Sequence, residues 1–165
     1  MNEELGKMLS QAYDLCEEGD FSNALKLYDL ALKKEPKNIN ALIDKGVTLQ
    51  NLGRIKQAIK YYDHALQINP KNLNALVNKG ASLHMSKQYE DAIKCYDLAL
   101  KVDKKCTIAL AYKGLSLGEL GKLTDAIKYF KKALSIDHDY DLANVSKDMA
   151  HELLQSLKRQ KSKTL

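Results

Sequence analysis

Small and apolar residues return along this chain at intervals of three and four, the spacing that puts side chains on one face of a helix. Leu42, Gly46 and Leu49 stand at i, i+4 and i+7, and Ala58, Tyr62 and Ala65 repeat the pattern a little further on. Between the two faces lies Gly53, a residue type that readily takes the left-handed backbone that ends a helix. The pattern predicts two helices joined by a tight turn, and Gly19 and Gly121 mark the same turn elsewhere.

Whole blocks then recur. Asn38-Ile39-Asn40-Ala41-Leu42 returns 34 positions later as Asn72-Leu73-Asn74-Ala75-Leu76. Ala58-Ile59-Lys60 returns at the same offset as Ala92-Ile93-Lys94 and Ala126-Ile127-Lys128. The registers begin at Leu5, Ile39, Leu73 and Thr107, giving four units over 5–38, 39–72, 73–106 and 107–140 without insertion or deletion. Read down the columns, Ala12, Gly46, Gly80 and Gly114 share one place, and Ala24, Ala58, Ala92 and Ala126 another. Tyr28, Tyr62, Tyr96 and Phe130 form an aromatic column, followed by Ala31, Ala65, Ala99 and Ala133. Gly46 is expected opposite Ala58, letting two helix backbones approach, with the aromatic column filling the wedge. Asn38 and Asn72 are expected N-caps, and Pro36 and Pro70 are expected to stop the helices before them. Lys87 stands at the turn position that glycine holds in the other units, at a cost of about 1 kcal/mol if its φ is positive. A single hairpin cannot bury its apolar face, so stacking of neighbours must do so.

These columns resemble the tetratricopeptide repeat family, over residues 5 to about 138. The resemblance implies an all-α, right-handed α-solenoid of four helix-turn-helix repeats. Two departures from the family pattern stand out. Gln11, Lys45, Lys79 and Lys113 occupy a column where the family often has leucine, and Lys104 and His138 replace the closing proline. The RNA-reading pentatricopeptide family has a different period and different columns. Residues 140–157 resemble a closing helix, with Leu142, Val145, Met149, Leu153 and Leu157 near one stripe as the capping face and Lys147, Asp148, Glu152 and Gln155 turned away. Residues 1–157 are expected as one domain and 158–165 as a basic flexible tail.

Composition narrows the function. With 45% hydrophobic and 28% charged residues the chain suits a folded, soluble protein. No apolar run approaches the ~20 residues of a membrane span, and the N-terminal residues lack the basic and apolar sections of a secretory signal, so a cytoplasmic location is expected. Cys16, Cys95 and Cys106 form no CxxC pair. The formal charge is +5, but four of the 26 bases (Lys158, Arg159, Lys161 and Lys163) lie in the last eight residues, leaving 22 bases against 21 acids before them. Arginine, the usual fork for phosphate and guanine, occurs only at positions 54 and 159, so no nucleic-acid ligand is expected. His64, His84, His138 and His151 show no metal-ligand spacing, and there is no HExxH, Walker loop or nucleophile elbow. No metal, cofactor or catalytic residue is expected, and the chain is read as a non-enzyme.

The family resemblance implies that the first helices line a concave, peptide-binding groove. Projected onto this sequence, its rows are Gly6, Asn40, Asn74 and Ile108; Leu9, Ile43, Val77 and Ala111; Ser10, Asp44, Asn78 and Tyr112; and Tyr13, Val47, Ala81 and Leu115. The surface is apolar with amides on one flank. It points to a protein or peptide ligand that is mostly neutral and partly apolar. The rival reading is that these residues only pack neighbouring first helices together. The family's carboxylate clamp for acidic chaperone tails is missing: Leu9 and Tyr13, or Ile43 and Val47, stand where it needs Lys and Asn, Ile108 and Tyr112 where it needs Lys and Arg, and only Asn78 matches. The competing expectation is a homo-oligomer, stacking through an exposed first helix at Leu5 and Leu9.

Overall fold

A computed structural model describes residues 3–163, with the side chains of 156–158 and 160–163 outside the described set. Every regular element among the described residues is a helix, arranged as helical hairpins in an all-α repeat fold. One compact unit, up to Ser86, holds α1 (Glu3–Glu17), α2 (Phe21–Lys34), α3 (Ile39–Asn51), α4 (Ile55–Ile68) and α5 (Leu73–Met85). A second, from Lys87 onward, holds α6 (Tyr89–Val102), α7 (Thr107–Glu119), α8 (Leu123–Leu134) and α9 (Asp141–Lys163).

Local chemistry sets the helix ends. The Asn38 and Asn72 side chains accept hydrogen bonds from the Ala41 and Ala75 amides at 3.0 and 2.9 Å, satisfying one orphan donor each. At the turns Gly19, Gly53 and Gly121 have φ of 82, 72 and 72°, and the amides of Asp20, Arg54 and Lys122 return to the Leu15, Leu49 and Leu117 carbonyls. Lys87 adopts φ of 60° at the corresponding turn, in the left-handed region that costs a side chain energy. α2 and α4 end just before Pro36 and Pro70, but proline is not required to stop a second helix. α6 ends at the register of α2 and α4 although Lys104 replaces proline. A side-chain turn recurs there instead: Asn69, Asp103 and Asp137 accept from the amides of Lys71, Lys105 and Asp139.

The aromatic column is the core. Tyr28, Tyr62, Tyr96 and Phe130 are buried with both alanine columns, each ring contributing on the order of 2 kcal/mol by burial. The glycine column serves these rings rather than the alanines opposite. A β-carbon at Gly46 would stand inside 3.0 Å of three Tyr62 ring atoms, and one at Gly114 would meet Phe130 in the same way.

The lysine column ties successive hairpins. Lys45 pairs with Asp29, Lys79 with Asp63 at 2.6 Å, and Lys113 with Asp97. Each joins a first helix to the second helix of the preceding hairpin. Lys45 and Lys113 also donate to the hydroxyls of Tyr61 and Tyr129 and lie 4.3 Å from those ring centroids. Burial alone would lower the pKa of these ammonium groups. The bonds to aspartate and tyrosine outweigh it and hold both above the ordinary lysine value. A charge in a leucine column is tolerated because its donors are satisfied.

Two expectations are corrected. Leu5 is 1% exposed and belongs to the core, so it offers no surface for stacking. On α9 the packed face is Ala143 and Ala150, with Leu142 and Leu154 beside them. Val145, Met149 and Leu153 are instead 59, 65 and 51% exposed. Small residues let α9 approach α7 and α8 closely, which the larger apolar stripe would prevent. Leu157 lies outside the described side chains. The helical backbone continues to Lys163, through residues expected to fray.

Candidate functional site

In the first unit α3 touches both α1 and α5, so these three first helices form one continuous face. Tyr13 stands out from α1 at 58% exposure, with Leu9 half-buried one turn before it. Asn40 on α3 and Asn74 on α5 are exposed. Val47, Val77, Asn78 and Ala81 are half-buried, each leaving part of its surface open. Ile43 departs from expectation. It is 6% exposed and packs in the core around Tyr62, in one cluster with Ala75 of α5. In the second unit Ala111 is likewise fully buried, while Ile108 is open and Tyr112 and Leu115 are half-buried.

Asp44 is the only charged residue in any row. It is half-buried, and burial raises its carboxyl pKa. Behind it lie polar groups that satisfy one another. Gln50 Oε1 accepts from Ser82 Oγ at 2.7 Å and from Tyr62 OH at 3.3 Å, while Cys16 Sγ and Thr48 Oγ1 share a hydrogen bond of 3.2 Å. Burial pushes the Tyr28, Tyr62 and Tyr96 hydroxyls far above the ordinary tyrosine value. These phenols are neutral packing groups, not general bases.

The sequence reading missed an apolar cavity of about 590 Å³ within the second unit. Leu115 and Phe130 line it with Met149, Ala150 and Leu153. No sequence signal marked it, because Met149 and Leu153 read as the packed side of α9. No group of three or more metal-ligating side chains converges among the described residues, and no described helix is long and apolar enough to cross a membrane.

The fold and this face define a helical-repeat protein with an open first-helix surface. Comparison with known proteins is more specific. The family model for the tetratricopeptide repeat matches residues 107–140, and the model described as anaphase-promoting complex, cyclosome, subunit 3 matches residues 17–99. The chain belongs to the tetratricopeptide repeat family. The second model's name describes that subunit and does not place this chain in that assembly. No curated protein matches the chain. Among solved structures it is similar to MamA residues 41 to the end from Desulfovibrio magneticus RS-1, with a TM-score of 0.78 and 21% identity over 99% of this chain and 98% of that one. A tetratricopeptide repeat protein from Parabacteroides merdae gives a TM-score of 0.81 and 22% identity over 94% of this chain and 62% of that one. The first repeat domain of Spaghetti (RPAP3), solved bound to the HSP90 peptide SRMEEVD, gives a TM-score of 0.69 and 21% identity over 71% and 93%. At such identities the likeness is one of fold.

Proposed function

We propose that this protein is a non-catalytic scaffold that holds a peptide or protein segment against the first-helix face of α1, α3 and α5. The observation that carries the reading is the character of that face. Tyr13, Leu9, Val47 and Val77 offer apolar surface, and Asn40, Asn74 and Asn78 offer amides that both donate and accept. Amides can pair with an extended backbone whatever its side chains, so the ligand is mostly neutral and partly apolar. The acidic-tail clamp has no counterpart, since Ile43 is core and Asp44 would repel a carboxylate. We place this scaffold in the cytoplasm, a reducing setting in which free thiols such as Cys16, Cys95 and Cys106 persist. Self-assembly through Leu5 loses its motive with the burial of that residue.

The test is selection of a displayed random-peptide library on the purified chain, repeated with Val77→Lys and Asn78→Ala. Both variants change surface residues and should keep the wild-type circular dichroism. Peptides recovered by the wild type should be lost from both. Recovery unaffected by either change means that the face is not the binding site.

A further inference from the structure

We propose that Asp44 is the position that recognises a cation on this face, taking the ammonium or guanidinium of one Lys or Arg side chain in an otherwise neutral, extended peptide. The inference rests on the reading of the α1–α3–α5 face as a binding surface.

The lysines on the first helices of this unit are already paired. Lys45 and Lys79 are drawn from the first helices to Asp29 and Asp63, and Lys7 pairs with Glu3 at 2.7 Å. The fold has thus turned the lysines of the first helices away from the rows. Asp44 remains on the face, half-buried. Among the described residues no hydrogen bond or ion pair reaches its carboxylate, and its backbone carbonyl accepts from Thr48 Oγ1 at 2.8 Å. Burial is the cause of its raised pKa, and its field acts on the buried Tyr28 and Tyr62 hydroxyls behind it. A carboxylate that has lost water without gaining a donor is costly to the fold. The buried lysines meet this cost with aspartates; Asp44 has no internal counterpart, so its counterion is supplied from outside.

The surroundings suit a basic side chain on a peptide. Asn40 stands one turn before Asp44 on α3, and the equivalent positions on α1 and α5 are Ser10 and Asn78. These neutral groups can hold a peptide backbone without competing for the cation. Val47 and Val77 give apolar surface for the aliphatic stem of Lys or Arg. A carboxylate already stripped of part of its water makes a stronger charge-assisted hydrogen bond than one on an open surface.

The library selection decides the matter. Peptides recovered by the wild type should carry Lys or Arg at one fixed position, and selection on Asp44→Asn should lose that preference while still recovering neutral sequences. A recovered peptide resynthesised with citrulline for arginine should bind the wild type about tenfold more weakly and bind Asp44→Asn as well as the parent peptide does. This peptide-side change leaves the protein intact, so misfolding cannot mimic the result. Recovered peptides with no basic position, still lost on Val77→Lys, would overturn the cation site and leave the scaffold standing. If no peptide is recovered in a Val77-dependent way, both readings fall.

Discussion

Gly114 and Gly118 lie one helical turn apart on α7, and the same substitution should move stability in opposite directions at the two. Replacing glycine by alanine inside a helix gains about 0.5–1 kcal/mol, because the unfolded chain loses freedom and the helix gains a good former. At Gly118 a new β-carbon meets only Ala126 Cβ at 4.0 Å, an ordinary contact. At Gly114 it would stand 2.5, 2.8 and 2.9 Å from Cε1, Cδ1 and Cζ of Phe130, a ring with 2% exposure. Carbon atoms pack at about 3.5–4.0 Å, so ring or helix must move by roughly 1 Å. Overpacking of this kind costs about 1–3 kcal/mol, which exceeds the propensity gain. Gly114→Ala should therefore lose about 1–2 kcal/mol net and Gly118→Ala gain about 0.5–1. At about 2–4 °C per kcal/mol for a chain of this size, the two melting midpoints should differ by about 5 °C. Thermal unfolding followed at 222 nm reads this directly. Adding Phe130→Leu to Gly114→Ala should recover part of the loss beyond additivity, since the two residues touch. A Gly114→Ala protein that melts with or above Gly118→Ala would refute the claim that the ring dictates the glycine.

Four further outcomes follow from the same reasoning. Lys87→Gly should raise stability by about 0.5–1 kcal/mol in urea unfolding, since glycine accepts the left-handed backbone that lysine resists. Asp29→Ala should cost more than Lys45→Met, about 2 kcal/mol against less than 1, because the first strands a buried ammonium and the second removes it. Lys45 and Lys113 titrate above their unfolded value, so the stability they add is complete below that value and lost as pH rises through the folded pKa; alkaline melting should show a loss that the double methionine variant lacks. Tyr96→Phe should stabilise by about 1 kcal/mol and Tyr62→Phe destabilise by a similar amount, because the Tyr96 hydroxyl is buried without a hydrogen-bond partner whereas that of Tyr62 bonds Gln50.

Periodic features were legible in the sequence because period is a property of the chain itself. The hairpins, the asparagine caps, the glycine turns and the strained Lys87 all follow from residues read in register. Features decided by how closely helices approach were not. Hydrophobicity favoured Val145, Met149 and Leu153 as the inner face of α9, yet Ala143 and Ala150 won because small side chains permit a shorter distance. Ile43 and Ala111 look like their row neighbours in sequence, and only packing within their own core clusters takes them out of reach. Lys45 stands in sequence only as a departure from a leucine column, and its charge makes sense once Asp29 and Tyr61 are seen around it. The sequence thus anticipated that Asn40 and Asn74 are exposed on the first helices, but the isolation of Asp44 showed only once the partners of the neighbouring lysines were known.

The lysine–aspartate ties span sixteen residues each and recur at the 34-residue period, at Asp29–Lys45, Asp63–Lys79 and Asp97–Lys113. Where the first hairpin would need a lysine it has Gln11, and where the last would need an aspartate it has Lys131. Each internal unit thus carries one acceptor for its successor and one donor for its predecessor. A genetic duplication or deletion of one internal unit leaves every charge matched. A unit copied after the fourth would instead meet lysine with lysine. The ion pairs so act as a rule for editing: this array can change length from within, by whole units, while its two outer hairpins stay as they are.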